Sequence, residues 1–210
     1  PDRIGDANQL TLALTSRMLS DQSGTELLRA SIGQILYFED REVTLPGETV
    51  ADDSSSALAA ELGAKLGGGW YTRAGIQWDP HDGSGNTDQA LAQLGYRDDD
   101  NPVFNLAYRL RDGITEQTDV AAYWPVNEQF SLVARHNYSL EENRLLEALA
   151  GIEYGECCWR LRAVARRHTN DSGNDHDTSF LIQLELNGLG RFGDDIDKTL
   201  ERGIYGYTTN

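Results

Sequence analysis

The stretch Ser56-Ala57-Leu58-Ala59-Ala60-Glu61-Leu62-Gly63-Ala64-Lys65-Leu66 decides the fold. Leu58, Ala60, Leu62, Ala64 and Leu66 fall on one face, and Ala59, Glu61, Gly63 and Lys65 on the other. A helix would mix these sets around its axis, whereas a strand separates them by alternation. Trp70 to Asp79 repeats the pattern. Trp70, Thr72, Ala74, Ile76 and Trp78 oppose Tyr71, Arg73, Gly75, Gln77 and Asp79. In Val103 to Arg111, Phe104, Leu106, Tyr108 and Leu110 oppose Asn105, Ala107, Arg109 and Arg111.

Working outward, similar segments fill most of the chain. They predict about eleven strands at 8–19, 26–38, 56–66, 70–79, 88–98, 103–112, 116–124, 129–140, 144–154, 158–169 and 178–189. Most are about 9–13 residues long, near the length that crosses a bilayer at a tilt. Ordinary globular strands average about five or six residues. Connections near 20–25, 67–69, 99–102, 125–128 and 155–157 are short; 39–55, 80–87 and 170–177 are longer and polar, while 113–115 and 141–143 break the alternation. Short periplasmic turns and longer outer loops mark membrane barrels. The expected fold is therefore all-β, an antiparallel transmembrane β-barrel wall spanning 1–190. Residues 191–210 break the pattern and form a tail expected on the periplasmic side. Within it, Asp194 to Arg202 places acidic residues first and basic ones later, which suits a short helix.

Composition excludes several classes. A net charge of −16 over 210 residues argues against a nucleic-acid partner, which wants a basic face. The run Asp98, Asp99, Asp100 reads as a solvated turn. No stretch approaches the roughly 20 apolar residues of a membrane helix. The mean hydropathy of −0.52 is compatible with a barrel, because half of each strand faces a polar lumen. The start at Pro1, without an initiator Met, reads as an internal or processed piece.

Chemistry-bearing motifs are sparse. The sequence has no G-x-S-x-G elbow, phosphate loop, H-E-x-x-H or C-x-x-C, so no enzyme and no cofactor is expected. His81, His136, His168 and His176 are scattered. The acidic loops around Asp79-Pro80-His81-Asp82 and Asp175-His176-Asp177 offer oxygens to a passing cation, but neither has EF-hand spacing, and no metal site is expected. Carboxylates are abundant, and none is singled out as a catalytic pair.

Two features remain. By alternation Glu61, Lys65, Arg73, Arg97, Arg109, Arg111, Asp119, Arg135, Glu147, Glu153, Arg160, Arg162, Arg166 and Glu185 share the polar face. In a lumen such charges stay hydrated or pair across strands, while on a lipid face each costs up to a few kcal/mol. They suit a passage or docking wall for an amphipathic or anionic molecule, or simply a salt-bridged solvated face. Aromatic residues also sit near strand ends: Tyr37, Phe38, Trp70, Trp78, Tyr96, Trp124, Phe130, Tyr138, Tyr154, Trp159 and Phe180. Rings with a polar handle favour the lipid–water boundary, although aromatics are common in all β-proteins.

The only cysteines, Cys157 and Cys158, are adjacent. A disulfide between neighbours on an extended strand would be strained. They read as unpaired thiols, or as partners of cysteines outside this chain.

Several segments resemble the lipopolysaccharide-assembly barrel family. They are Asp2-Arg3-Ile4-Gly5-Asp6-Ala7-Asn8-Gln9 leading into Leu10–Arg17, Ser31-Ile32-Gly33-Gln34-Ile35 with Tyr37-Phe38, Gly151-Ile152-Glu153-Tyr154 with Cys157-Cys158-Trp159, and Gly188-Leu189-Gly190. The Cys-Cys-Trp run after a strand ending Glu-Tyr is the most specific. The resemblance covers essentially the whole chain and implies the C-terminal part of a larger barrel. It implies an outer-membrane translocon that inserts lipopolysaccharide into the outer leaflet. A plug lipoprotein fills its lumen, and a periplasmic bridge protein delivers lipopolysaccharide to a domain outside this chain. It also implies disulfides from Cys157 and Cys158 to the N-terminal region. The strand at 178–189 would then be the last of the barrel and one side of a lateral gate. Phe180, Ile182, Leu184 and Leu186 would face lipid, and Ser179, Gln183, Glu185 and Asn187 the lumen. Alone, the piece is expected to transport nothing. The competing readings are a generic porin-type or adhesin-type barrel, and a soluble sugar-binding β-sandwich.

Overall fold

A computed structural model describes residues 8–43, 52–80, 87–98, 102–170 and 175–208. The strands are β1 (Gln9–Leu19), β2 (Glu26–Tyr37), β3 (Leu58–Gly67), β4 (Trp70–Trp78), β5 (Thr87–Arg97), β6 (Val103–Arg111), β7 (Thr115–Pro125), β8 (Phe130–Ser139), β9 (Arg144–Glu156), β10 (Trp159–Thr169), β11 (His176–Leu186) and β12 (Gly190–Gly193), followed by helix α1 (Ile196–Gly203). The sheet order follows the sequence from β1 to β12. The fold is all-β and antiparallel, as the alternation predicts. The eleven expected strands are present within a few residues, and β12 is an additional short one. No described helix is long and apolar enough to cross a membrane. The segment Asp2–Ala7, the residues His81 and Asp82, and Asp99 and Asp100 lie outside the described residues.

Two compact units divide the chain: Pro1–Lys65 with Arg73–Leu91, and Leu66–Thr72 with Ala92–Asn210. In the first, β1 pairs with β2 from Gln9↔Tyr37, with a register shift between Met18 and Leu19. β2 pairs with β3 around Ala30↔Leu62. Leu10, Leu12, Leu14, Ile32, Leu62 and Ile76 leave large apolar side chains exposed.

In the second unit, β6 to β11 form a regular meander. Val103 pairs Tyr123, Ala121 pairs Arg135, Val133 pairs Gly151, Glu153 pairs Arg162, and Arg162 pairs Gln183. A period of two keeps one set of residues on one face along all six strands. That face buries Val103, Asn105, Ala121, Ser131, Val133, Leu149, Glu153, Arg162, Val164 and Gln183. The other exposes Leu106, Val120, Trp124, Phe130, Leu132, Ile152, Leu161, Phe180 and Ile182. One face buries charged and polar groups among small aliphatic residues, and the other exposes large hydrocarbon side chains, unlike the outward face of a water-soluble sheet.

The burying element is the C-terminal segment. Ile196, Leu200 and Ile204 recur every four residues, placing one stripe on one side of a helix. Asp197 in the first turn and Arg202 in the last complement the helix dipole. The stripe, with Tyr207, packs on Val103, Ala121, Val133, Leu149 and Val164. Full burial of each aliphatic side chain contributes about 1.5–3 kcal/mol, so the segment is held as firmly as a core helix. The expected helix at 194–202 is present, laid on the inward face of the sheet.

One close approach fixes the neighbouring strands. A Cβ at Gly95 would fall inside the Tyr71 ring, whose hydroxyl donates to Asn105 Oδ1 at 3.0 Å. Asn105 Nδ2 in turn donates to the Tyr205 carbonyl at 2.7 Å. Gly95→Val is therefore expected to displace the ring, break this relay and cost about 1–3 kcal/mol by overpacking. Thermal unfolding of the variant against wild type checks this, and an unchanged midpoint would mean that the ring has room to move.

Candidate functional site

The inward face of β7 to β11 carries two ion-paired clusters. In the first, Arg162 reaches Glu153 at 2.5 Å, Glu185 at 3.1 Å and Asp197 at 2.5 Å. Arg191 reaches Glu185 at 3.1 Å and Asp197 at 2.8 Å, and Arg160 lies 3.7 Å from Glu153. Three guanidinium groups thus face three carboxylates. The Arg162 side chain is 1% exposed. Sheet register places it opposite Glu153 and Gln183, and diagonal to Glu185, so three strands aim their groups at one point. Asp197 arrives from α1, and Gln183 Nε2 donates to its carboxylate at 3.1 Å.

In the second cluster, Arg135 grips Asp119 at 2.7 Å and Glu147 at 2.5 Å, and Arg166 reaches Glu147 at 2.5 Å. Tyr207 packs beside the first cluster. Its ring meets Tyr123 edge-on at 4.9 Å, and its hydroxyl donates to Glu153 at 3.4 Å. Burial pushes the Tyr207 phenol well above its usual range, and the nearby Glu153 charge adds to this. It therefore remains a proton donor at neutral pH.

The charges expected on the polar face divide accordingly. Arg135, Arg160 and Arg162 are drawn into the clusters, as are Asp119, Glu147, Glu153, Arg166 and Glu185. Lys65, Arg73, Arg97, Arg109 and Arg111 remain exposed. Sequence reasoning missed Asp197, Arg191 and Tyr207, because their role depends on the tail lying on the sheet. The four-residue spacing of Ile196, Leu200 and Ile204 was the available signal.

Cys157 and Cys158 form the two-residue turn between β9 and β10, both exposed and both free. Their carbonyls accept hydrogen bonds from Asn187, through its side chain to Cys157 and its backbone to Cys158, each at 3.0 Å. The β11–β12 turn therefore braces the cysteine turn. Cys158, by hydrogen bond and charge, raises the Cys157 thiol above its ordinary pKa, which lowers its thiolate fraction.

On the exposed face at this same end, aromatic rings form runs. Trp70 meets Tyr96 at 5.0 Å and Phe104 at 6.4 Å, and Tyr96 stacks near Trp124 at 6.4 Å. Phe130 meets Tyr154 at 4.6 Å, which meets Trp159 at 5.3 Å. The Tyr96 and Tyr154 hydroxyls donate to Asp98 and Glu156, toward the turns. Tyr and Trp rings with a polar group directed toward the turns are the side chains that favour a lipid–water boundary.

Of the expected edge residues, Phe180 and Ile182 are exposed on the apolar side, and Gln183 and Glu185 face the inner clusters. Ser179, Leu184 and Leu186 lie in β11 and Asn187 in the turn after it. β12 pairs with β11 from Gln183↔Gly193 to Leu186↔Gly190. Among the described residues no cluster of His, Cys, Asp and Glu could hold a metal.

Comparison with known proteins adds the family. The profile described as LPS transport system D (LptD) matches residues 1–130. The chain is 45% identical over 206 residues to the LPS-assembly protein LptD of Nitrosococcus oceani, covering 98% of this chain and 28% of that protein. It is 40% identical over 213 residues to the protein of that name from Alkalilimnicola ehrlichii, and 38% identical over 206 residues to that of Thiobacillus denitrificans, with the same coverage in both. The chain thus spans about 28% of the length of these relatives. With an antiparallel, inside-out sheet beside these matches, the chain belongs to the LPS transport system D (LptD) family.

Proposed function

We propose that this chain is the C-terminal wall of an outer-membrane β-barrel that passes lipopolysaccharide to the outer leaflet. The carrying observation is the inverted sheet: Arg162, Glu153 and Gln183 are buried on one face, while Leu106, Ile152 and Phe180 are exposed on the other. Hydrocarbon on the outside suits lipid, and charge on the inside suits a lumen. Lipopolysaccharide is an amphiphile. Its sugars need a polar path and its acyl chains an apolar one, so a wall with both faces, opening sideways along β11, strands neither part. The exposed charges Lys65, Arg73, Arg97, Arg109 and Arg111 are the groups available to a passing anionic headgroup or to a lumen-filling lipoprotein. Delivery from a periplasmic bridge protein falls to parts of the protein outside this chain.

Cys157 and Cys158 form disulfides with the N-terminal region. Both thiols are exposed on a turn and cannot easily pair with each other. In full-length protein from its native membrane, a non-reducing gel with peptide mapping is expected to show links from this turn to the N-terminal region. Cys157→Ser with Cys158→Ser is expected to abolish the mobility difference between reduced and non-reduced samples. Free thiols in the mature, inserted protein would instead point to a passive porin-type barrel.

A further inference from the structure

The last described residues cross the inward face of β6 to β11 from one side to the other. Asp197 sits over β11 and β10. Its backbone N–H donates to Gln183 Oε1 at 3.3 Å, its carboxylate accepts from Gln183 Nε2 at 3.1 Å, and it pairs with Arg162. Gly203 lies beside β8, where a Cβ would stand 3.4 Å from the Arg135 side chain. Tyr207 meets Tyr123 of β7 and donates to Glu153 of β9. The Tyr205 carbonyl accepts from Asn105 of β6 at 2.7 Å, and a Cβ on Gly206 would stand 3.8 Å from Val103 of the same strand. Every strand from β6 to β11 is therefore touched by this one segment. A sheet ladder joins only neighbouring strands, whereas this segment joins β6 to β11 directly.

We propose that residues 196–207 are a luminal strap that ties β6 to β11 into one panel, fastened at its far end by the Asn105–Tyr205 bond. The luminal setting rests on the barrel-wall reading. Ile196, Leu200 and Ile204 are buried against the sheet, so the strap is seated along its length. Its other side carries Lys198, Glu201 and Arg202, all exposed. The strap thus lays a polar surface over Val103, Val133, Leu149 and Val164. Bare, those residues would be an apolar patch in the path of an amphiphile.

The far end carries the main consequence. Asn105 is buried and engaged on both sides: the Tyr71 hydroxyl donates to its Oδ1, and its Nδ2 donates to Tyr205, 100 residues further along the chain. β6 is thereby joined to the end of the chain, and the panel is complete only once those last residues are in place. An isolated helix of the eight residues in α1 is marginal in water, so its order depends on the wall beneath it. Loss of the strap's end leaves every strand present yet loosens the far side of the panel.

The test is amide hydrogen exchange on the full-length protein in a lipid bilayer, read segment by segment. Residues 196–207 are expected to exchange as slowly as the ladders of β6 to β11. Asn105→Leu is expected to speed exchange at 204–207 by about tenfold or more, as a local opening does. Tyr71→Phe keeps the Asn105–Tyr205 bond and is expected to leave 204–207 as in wild type. Ending the chain after Gly203 removes no strand and is expected to speed exchange in β6 and β7. Where that truncated chain fails to reach the membrane, Asn105→Leu decides alone. Exchange at 196–207 as fast as in an unstructured chain, or unchanged by Asn105→Leu, would overturn the strap and leave the barrel reading intact. Release of the protein from its membrane by alkaline carbonate, without detergent, would overturn the barrel reading and the luminal strap with it.

Discussion

Replacing Arg162 with alanine in the full-length protein is expected to destabilise the barrel by about 3–5 kcal/mol, the cost of stripping a buried charge of its partner. Arg162 is 1% exposed and bonds Glu153, Glu185 and Asp197 together. Arg191 still holds Glu185 and Asp197, but it is half-exposed and reaches Glu153 through neither nitrogen that makes these bonds. Glu153 would keep Arg160 at 3.7 Å and the hydroxyls of Tyr123 and Tyr207, each at 3.4 Å, long contacts that do not replace a guanidinium beside a carboxylate that is 8% exposed. Arg162→Lys should fall between, since one ammonium cannot bridge three carboxylates in the geometry a planar guanidinium spans. Asp197→Asn should cost less, about 1.5–3 kcal/mol, because it removes charged hydrogen bonds to Arg162 and Arg191 while Glu153 and Glu185 still pair Arg162. The temperature at which the folded form disappears on a gel run without prior boiling orders the variants. If Arg162→Ala melts with wild type, the cluster is hydrated in the membrane-inserted protein and does not hold the tail.

The wall itself was legible because alternation is a property of each strand alone. Val103 to Arg111 reveals both faces without knowledge of any neighbour, and the observed pairing Arg109↔Gln117 keeps the sorting. The inner charges were legible as a face but not as clusters. Which guanidinium meets which carboxylate depends on register between strands, and Arg162 on β10 meets Glu185 on the neighbouring β11 at 3.1 Å. The tail was the least legible part. Its helix could be read from Asp194 to Arg202, but its position requires knowing that Val103, Ala121, Val133, Leu149 and Val164 make an apolar patch on a face otherwise read as polar. Those small aliphatic residues sit between charged ones on separate strands, so only the assembled sheet brings them together. β12 was hidden for a related reason: Gly190-Arg191-Phe192-Gly193 is too short to show a period.

Leu106→Arg is the sharpest test of which solvent the exposed face meets. Leu106 sits near the middle of β6 and is 42% exposed. In a sheet facing water, arginine there would change stability by no more than about 0.5 kcal/mol, as most surface substitutions do. Facing lipid near the midplane, the same change costs about 2–4 kcal/mol, falling toward the interfaces. Leu106→Ala separates charge from lost packing, since it removes hydrocarbon without placing a charge in lipid. The expected order in a reconstituted bilayer is wild type, then Leu106→Ala, with Leu106→Arg clearly last. Trp124 lies on the same face but within the aromatic girdle, so arginine there should cost less than at Leu106. A depth dependence of this kind has no counterpart in a soluble sandwich, whose outward positions all meet the same water. Equal and small effects at Leu106 and Trp124 would remove the membrane from the account of this sheet, and the inward charges would then need a different explanation.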